Sequence, residues 1–156
     1  MRTLSAVVVL ALLLTSGVSM PVTAAGEVTV SINAPAGALP DSDFTATIDI
    51  GNVTNFDAAN YDVSFNPAVL RLDDVTDGNI GGSTVPVDIW NPTSPGIVTI
   101  VQDVPGLSGV NGSGSLAMLH FHVLGLAGQT SSITLSDGIL GNTSAQEIVA
   151  DWIGDF

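Results

Sequence analysis

The sequence predicts an all-β sandwich, and three observations support this prediction. Beyond residue 26 the chain is rich in Gly, Thr, Ser, Val and Asn, and no window keeps a helical period. Short runs of alternating apolar and polar residues occur instead, separated by clusters of Gly, Pro, Asn and Asp. The length of 156 residues suits a single domain. The absence of Cys excludes disulfides, and a domain of this size can bury a sufficient core without them.

Eight runs are predicted to be strands, and most of them have one apolar face. Successive side chains of a strand point to opposite sides, so a surface strand buries alternate residues. The third run, for example, places Tyr61, Val63 and Phe65 on one face before Asn66-Pro67 ends it. The predicted strands are 28–32, 44–50, 60–65, a fourth that begins at Leu70, 85–90, 97–102, 116–124 and 133–140.

Turn residues separate these runs. Pro and Gly in 34–41 divide the first two strands, and Asp77-Gly78 is predicted to bend the chain after the fourth. A Gly/Ser loop over 106–114 precedes the seventh strand. The sixth strand is apolar on both faces except for Thr99, which predicts a central position.

The end of the sequence indicates an unfinished strand. Residues 152–156 have the character of the approach to one more strand, after which the sequence stops. We therefore expect the last strand to be truncated, which would leave the first or the eighth strand without a partner at its edge.

Residues 1–25 have the features of a secretory signal peptide. Arg2 supplies the positive charge, 4–14 form an apolar stretch, and 22–25 offer small residues for cleavage. The alternative is a retained membrane anchor, but the apolar stretch is short for one and ends at Thr15. The predicted mature domain is 26–156, with no membrane insertion after cleavage and an extracellular, secreted or cell-surface location.

The mature chain is strongly acidic. It keeps fifteen Asp and Glu residues against one basic residue, Arg71, which gives a net charge of −14 with no Lys. Such a surface repels phosphates, so nucleic acids and anionic membranes are excluded as partners.

The titratable residues give little support for catalysis or for a bound metal. Asp73, Asp74 and Asp77 form the densest acidic cluster, but they lack EF-hand spacing and are interpreted as a solvated turn. His120 and His122 share one strand face, with no acid or Cys expected nearby to complete a ligand set, and are predicted to be exposed without metal. No Gly-x-Ser-x-Gly motif occurs. We therefore predict a protein that is not an enzyme and that has no cofactor of its own.

Two further patterns concern carbohydrate. The triplets that begin at Asn52, Asn111 and Asn142 match the N-glycosylation sequon, a short pattern that also arises by chance. Aromatic residues make up only 5% of the chain, and sugar-binding faces usually display several aromatic rings. Trp90, Trp152 and Tyr61 are the candidates, and Tyr61 has core parity.

Three segments resemble cohesin domains. In segment 56–70 a strand ends at Phe65 and Asn66-Pro67-Ala68-Val69-Leu70 begins the next, similar to the family's third-to-fourth strand signature. Segments 96–103 and 114–121 are similar to its sixth and seventh strands. The resemblance covers about residues 27–156 and implies a jelly-roll β-sandwich of about nine strands.

The resemblance also implies a partner. Cohesins bind dockerin modules, which carry calcium in duplicated loops, through the sheet of strands eight, three, six and five. By position, Ala58 and Asn60 fall on the binding part of strand three, Trp90 closes strand five, and Gln102 lies on strand six. Ala58 cannot hydrogen-bond through its side chain and Gln102 carries no charge, so the dockerin type stays open.

The residue pattern adds to this predicted site. Asp62 lies on the same strand face as Asn60, and Val98 and Ile100 are assigned to the exposed face of strand six unless a bulge exchanges them for Ile97, Thr99 and Val101. A mixed apolar and polar patch with an aromatic anchor is typical of protein interfaces.

These features favour a secreted, non-catalytic adaptor that binds a dockerin-bearing protein in the assembly or anchoring of polysaccharide-degrading enzymes. The alternatives are a carbohydrate-binding module of related jelly-roll fold, with a polysaccharide as partner, and a structural module of a cell-surface protein.

Overall fold

Every regular element in the computed structural model is a β-strand. The model describes residues 27–154, so the predicted signal peptide 1–25 lies outside the described residues. The strands are β1 (Val28–Asn33), β2 (Asp43–Ser64), β3 (Leu70–Ile80), β4 (Ser83–Val85), β5 (Ile89–Ser94), β6 (Ile97–Asp103), β7 (Val110–Val123), β8 (Thr134–Asn142), β9 (Glu147–Ile148) and β10 (Ala150–Ile153). Over 27–154, no helix is long and apolar enough to span a membrane.

The strands form two layers that share β2. One layer has the order β10-β1-β2-β7-β3-β4, and the other consists of β8, β2, β6 and β5, with β9 paired to β8. The apolar side chains between the layers form one core cluster. The predicted all-β jelly-roll sandwich is therefore confirmed.

The strand β2 unites two runs that the sequence separates. Its buried positions recur every second residue up to Ile50, every third residue through Val53 and Phe56 to Ala59, and then every second residue again. Asn52 and Asn55 have φ values of 55° and 57°, and the register with β7 shifts on both sides of Val53. These bulges turn the strand from one layer into the other while its apolar side chains stay in the core.

Two predicted boundaries differ because strands approach closely or cross between the layers. The acidic stretch 73–79 belongs to β3 and pairs with β7, so it does not form a turn. Gly78 allows the two backbones to approach closely, because a Cβ there would overlap the backbone of β7 at Leu116. The predicted strand 85–90 is divided into β4, which pairs with β3, and β5, which pairs with β6. Pro86, which has no N–H to donate to a ladder, lies at this crossing.

The expectation that the first or the eighth strand lacks a partner at its edge is wrong, since β8 also pairs with β2 and β9. β10 pairs in parallel with β1, with Val30 opposite Trp152, so the first strand has partners on both sides. The Trp152 indole lies 5.6 Å from the Tyr61 ring, and a Cβ at Gly138 would overlap it. Glycine at position 138 therefore makes room for the side chain that packs β10 against the core.

One polar side chain, Gln102, is buried in the core. It is 1% exposed, accepts a hydrogen bond from Tyr61 Oη at 3.0 Å and donates to the Leu116 and Pro86 carbonyl oxygens at 2.8 and 3.2 Å. Burial raises the pKa of the Tyr61 phenol well above its usual value, so the phenol stays neutral and acts as the donor. The network ties β6 to β2, β7 and the β4–β5 connection.

Gln102→Leu tests the weight of this network. The substitution leaves the Tyr61 hydroxyl and the Leu116 carbonyl without this partner in the core, so we expect a loss of about 1–3 kcal/mol in the free energy of unfolding. Urea denaturation measures it. Asp103→Asn, at the exposed end of the same strand, should change stability by less than about 0.5 kcal/mol and serves as control. Equal stability of the two variants would contradict the role assigned to Gln102.

The charge of the surface predicts salt-dependent stability. Among the described residues, Arg71 is the one Lys or Arg set against fourteen Asp and Glu. Salt screens repulsion among exposed charges, so the melting temperature should rise from low to molar NaCl, by roughly 4 °C for each ~1 kcal/mol gained. Calorimetry in NaCl measures this without the strengthening of apolar burial that sulfate would add. A melting temperature that stays flat or falls would contradict it.

Candidate functional site

The outer surface of the second layer is a sheet face that spans four strands. We call it the β8–β5 face. It consists of the outward residues Thr134, Ser136 and Ile139 of β8, Ala58, Asn60, Asp62 and Ser64 of β2, Ile97, Thr99 and Val101 of β6, and Ile89 and Asn91 of β5.

The strand register aligns one mixed row across this face. Asn60 lies opposite Ile139 on one side and Val101 on the other, and Val101 lies opposite Ile89. Ile89 and Ile139 are 60% and 57% exposed, which is high for isoleucine. The row therefore displays three aliphatic side chains around one carboxamide, a combination suited to contact with another protein.

The next rows are polar and partly fixed. The Thr99 hydroxyl donates to Asp62 Oδ1 at 2.5 Å, and the hydroxyls of Ser64 and Thr134 are 2.6 Å apart. These bonds join β2 to β6 and to β8 at the surface, which limits side-chain motion before any partner binds. Asp103 lies opposite Ala58 at the far end, so two carboxylates flank the apolar row.

The structure divides the seven predicted partner-binding residues into two groups. Ala58, Asn60 and Asp62 point outward from β2, and they form part of the β8–β5 face. The other four, Val98, Ile100, Gln102 and Trp90, point inward or pack against the core.

The assignment of Val98, Ile100 and Gln102 to an exposed face is therefore wrong. The ladder between β2 and β6 runs from Ser64/Ile97 to Ala58/Asp103 without a register shift, so burial alternates strictly along β6. Thr99 is the one polar residue in the first five of this strand, and its parity marks the outward side together with Ile97 and Val101. That signal was present in the sequence.

The predicted outward position of Trp90 is also wrong. It lies opposite Ile100 and so shares the inward parity, whereas its neighbour Ile89 points outward. The indole is half-buried against the core and lines an apolar groove with Phe65, Leu72 and Pro92 at the sheet edge. Ile89 and Ile139 also lie outward but are not among the predicted site residues, and Val101 was expected outward only in the case of a bulge, because aliphatic residues are ordinarily assigned to the core.

The aromatic residues form no sugar-binding platform within residues 27–154. Tyr61 is buried, and Trp90 and Trp152 both pack against the core from partly buried positions. Stacking on a sugar ring needs an exposed ring face, preferably several in one plane.

The two histidines lie on the outer side of the other layer, in polar contacts. His120 hydrogen-bonds the hydroxyls of Thr45 and Thr76 at 3.1 and 3.0 Å. His122 lies 2.6 Å from Asp43 and 3.3 Å from Asp41, so the expectation that no acid lies near the pair is wrong. The fold brings these acids to β7 from about 80 residues away in sequence.

The described residues that could share a metal ion are His122, Asp43 and Asp73, whose ligand atoms lie within 4.8 Å of one another. Asp73 already pairs with Arg71, and this hydrogen bond lowers the pKa of the Asp73 carboxyl. The cluster thus sets His122 and Arg71 beside three carboxylates on an exposed surface, away from the β8–β5 face.

Solved structures similar to this chain are cohesins. A non-cellulosomal cohesin from the hyperthermophilic archaeon Archaeoglobus fulgidus has a TM-score of 0.68 and 21% identity, covering 82% of this chain and 87% of that one. A type II cohesin domain from the Acetivibrio cellulolyticus cellulosome gives 0.64 and 20%, covering 81% and 91%. The type I Coh-OlpA–Doc918 cohesin–dockerin complex from Clostridium thermocellum gives 0.69 and 11%, covering 82% and 95%.

No curated protein sequence matches this chain. The family model described as Cohesin domain matches residues 28–152, which includes all but the last residue of the ten strands. Given this match and the shared sandwich, the chain belongs to the cohesin family.

Proposed function

We propose that this protein is a non-catalytic adaptor that binds a dockerin-bearing protein through the β8–β5 face. The single observation that carries the proposal is the row in which the exposed Ile89 and Ile139 and the half-buried Val101 surround Asn60. Similar solved structures include cohesin–dockerin complexes from Clostridium thermocellum and Acetivibrio cellulolyticus, which supports this partner class.

The composition of the face indicates the chemistry of the partner. Aliphatic contacts supply the apolar part of the binding energy, and the Asn60 carboxamide can fix register by hydrogen bonding. Asp62 and Asp103 make the face acidic, and Arg71 lies on the other layer. A partner surface with apolar residues beside Lys or Arg is therefore the best complement, since opposite charges speed association.

The same surface favours binding over catalysis. The Asp62 and Asp103 carboxylates lie on opposite sides of the aliphatic row and do not converge, whereas acid–base catalysis requires convergent titratable groups. The exposed rings that polysaccharide binding would use are absent from residues 27–154. This geometry supports the adaptor over the carbohydrate-binding module.

We place the adaptor outside the cell, in the assembly or anchoring of polysaccharide-degrading enzymes. The signal-like residues 1–25 support export. Calcium belongs to the dockerin in this proposal, with no cofactor required on this chain.

Substitutions on the aliphatic row test the face. Ile89→Ala and Ile139→Ala each remove exposed apolar contact area, so we expect each to weaken binding to a cognate dockerin by about 1–2 kcal/mol. Calorimetry against dockerins from the same genome measures the loss. Leu126→Ala, 75% exposed but outside the face, is the matched control and should change binding by less than about 0.5 kcal/mol.

The outcome separates the candidate functions. Loss at Ile89 and Ile139 with none at Leu126 supports the adaptor. Equal losses of binding affinity at all three positions would indicate that the partner does not bind specifically at the β8–β5 face. Retention on insoluble polysaccharide with no dockerin bound would favour the carbohydrate-binding module, and binding to neither would favour the structural module.

Removal of calcium tests the division of roles between the two proteins. EDTA should abolish binding, because the dockerin needs calcium for its own fold. The melting temperature of this chain alone should not change, because its core is formed by apolar side chains and Gln102. A melting temperature of the isolated chain that falls in EDTA would contradict the assignment of calcium to the partner.

Intact-mass measurement of exported protein tests the proposed processing. We expect a mature chain that begins near Ala25 or Gly26. Exported protein that still contains Met1 to Ala24 would indicate a retained anchor.

A further inference from the structure

The three sequons, which lie far apart in sequence, meet at one end of the sandwich. Val53 of the first sequon lies directly opposite Gly112 of the second in the β2–β7 ladder. Asn142 of the third lies opposite Phe56 of β2, and Thr143 donates to Asn55 Oδ1 at 3.1 Å. We call the surface formed by 52–55, 111–113 and 142–144 the sequon end.

Backbone geometry holds the first two acceptor asparagines at the surface. Asn52 has a φ of 55° at the β2 bulge, and its backbone N–H donates to the Ser113 hydroxyl at 2.9 Å. That hydroxyl belongs to the second sequon, so the two sequons are in direct contact. Both Asn52 and Asn111 are exposed.

The side-chain amide nitrogens of Asn52 and Asn111 are available for glycan attachment. Asn111 uses its Oδ1 to accept the Asn55 N–H at 2.8 Å, which leaves Nδ2 free. An N-linked glycan is attached through Nδ2 and preserves the carbonyl oxygen, so attachment does not break this hydrogen bond. Asn52 is joined to its surroundings through its backbone, and its side chain projects from a bulge.

The third sequon differs. Asn142 accepts the N–H groups of Ser144 and Gln146 at 2.9 and 3.0 Å, and its Nδ2 lies 3.4 Å from Gln146 Oε1. Its carboxamide therefore holds the turn between β8 and β9 together and is only partly exposed.

We infer that Asn52 and Asn111 are N-glycosylation acceptors and that Asn142 is a structural asparagine. The donor is a lipid-linked oligosaccharide, and an oligosaccharyltransferase catalyses the transfer. A bond forms between Nδ2 and the anomeric carbon, and the bond between that carbon and the lipid phosphate oxygen breaks. The lipid phosphate leaves with the electron pair, and the carboxamide loses one proton. Glycans at these positions would extend from the sequon end, beyond the aliphatic row of the β8–β5 face.

Glycopeptide mass spectrometry of the full chain, recovered from both the medium and the cells of its natural source, tests the inference. We expect glycan on the peptides that contain Asn52 and Asn111 and none on Asn142. Asn91-Pro92-Thr93 provides an internal control, because Asn91 is also exposed but the central proline blocks transfer. Unmodified Asn52 and Asn111 in both fractions would overturn the inference, and so would a glycan on Asn142 with Asn52 unmodified.

A substitution at Thr54 tests the assignment of Asn52 without replacing the asparagine itself, which has a left-handed backbone conformation. Thr54→Val removes the first sequon at an exposed position and keeps Asn52 in its left-handed backbone. Its intact mass should fall by one glycan relative to the wild type. Thr93→Val, matched in chemistry at the proline-blocked triplet, should leave the glycan mass unchanged. Equal glycan masses in Thr54→Val and the wild type would overturn the assignment of Asn52.

Discussion

The strand β2 is the constraint on which the rest of the fold depends, because it supplies hydrogen-bond partners to both layers. Its first half pairs with β1 and β7, and its second half pairs with β6 and β8. Between the halves, Asn52 and Asn55 adopt left-handed backbone conformations, which Asn tolerates better than most residues. The crossing keeps Ile50, Val53 and Phe56 in one core while the ladder partners change.

The candidate site follows from this crossing. Because the second half of β2 lies between β8 and β6, the outward side chains of the three strands form one continuous surface. Gln102 accepts a hydrogen bond from Tyr61 and donates to the carbonyl oxygens of Leu116 and Pro86, and these bonds fix β6 in the register that turns Val101 outward. The buried network and the aliphatic row thus involve opposite faces of β6.

The two layers differ in chemistry on their outer surfaces. The layer that carries β7 and β3 displays His122 among acids, together with Arg71, whereas the second layer displays aliphatic residues and two carboxylates. On the first surface, His122 pairs with Asp43 and Arg71 pairs with Asp73. Ile89 and Ile139 remain exposed on the second surface, which is why we assign partner binding to it.

Sequence alone determined the all-β class, the family resemblance and the outward direction of Asn60 and Asp62, because strict two-residue alternation identifies the faces of a regular strand. Ala58 was assigned to the same face only through the resemblance. It did not determine that β2 is continuous, since the three-residue spacing of its bulges hides the pattern. It also left the parity of β6 open, because the polar residues Thr99 and Gln102 lie on opposite faces of the strand. Only the tertiary structure decided these points, together with the partner of β1 and the acids around His122, because each depends on contacts between residues far apart in the chain.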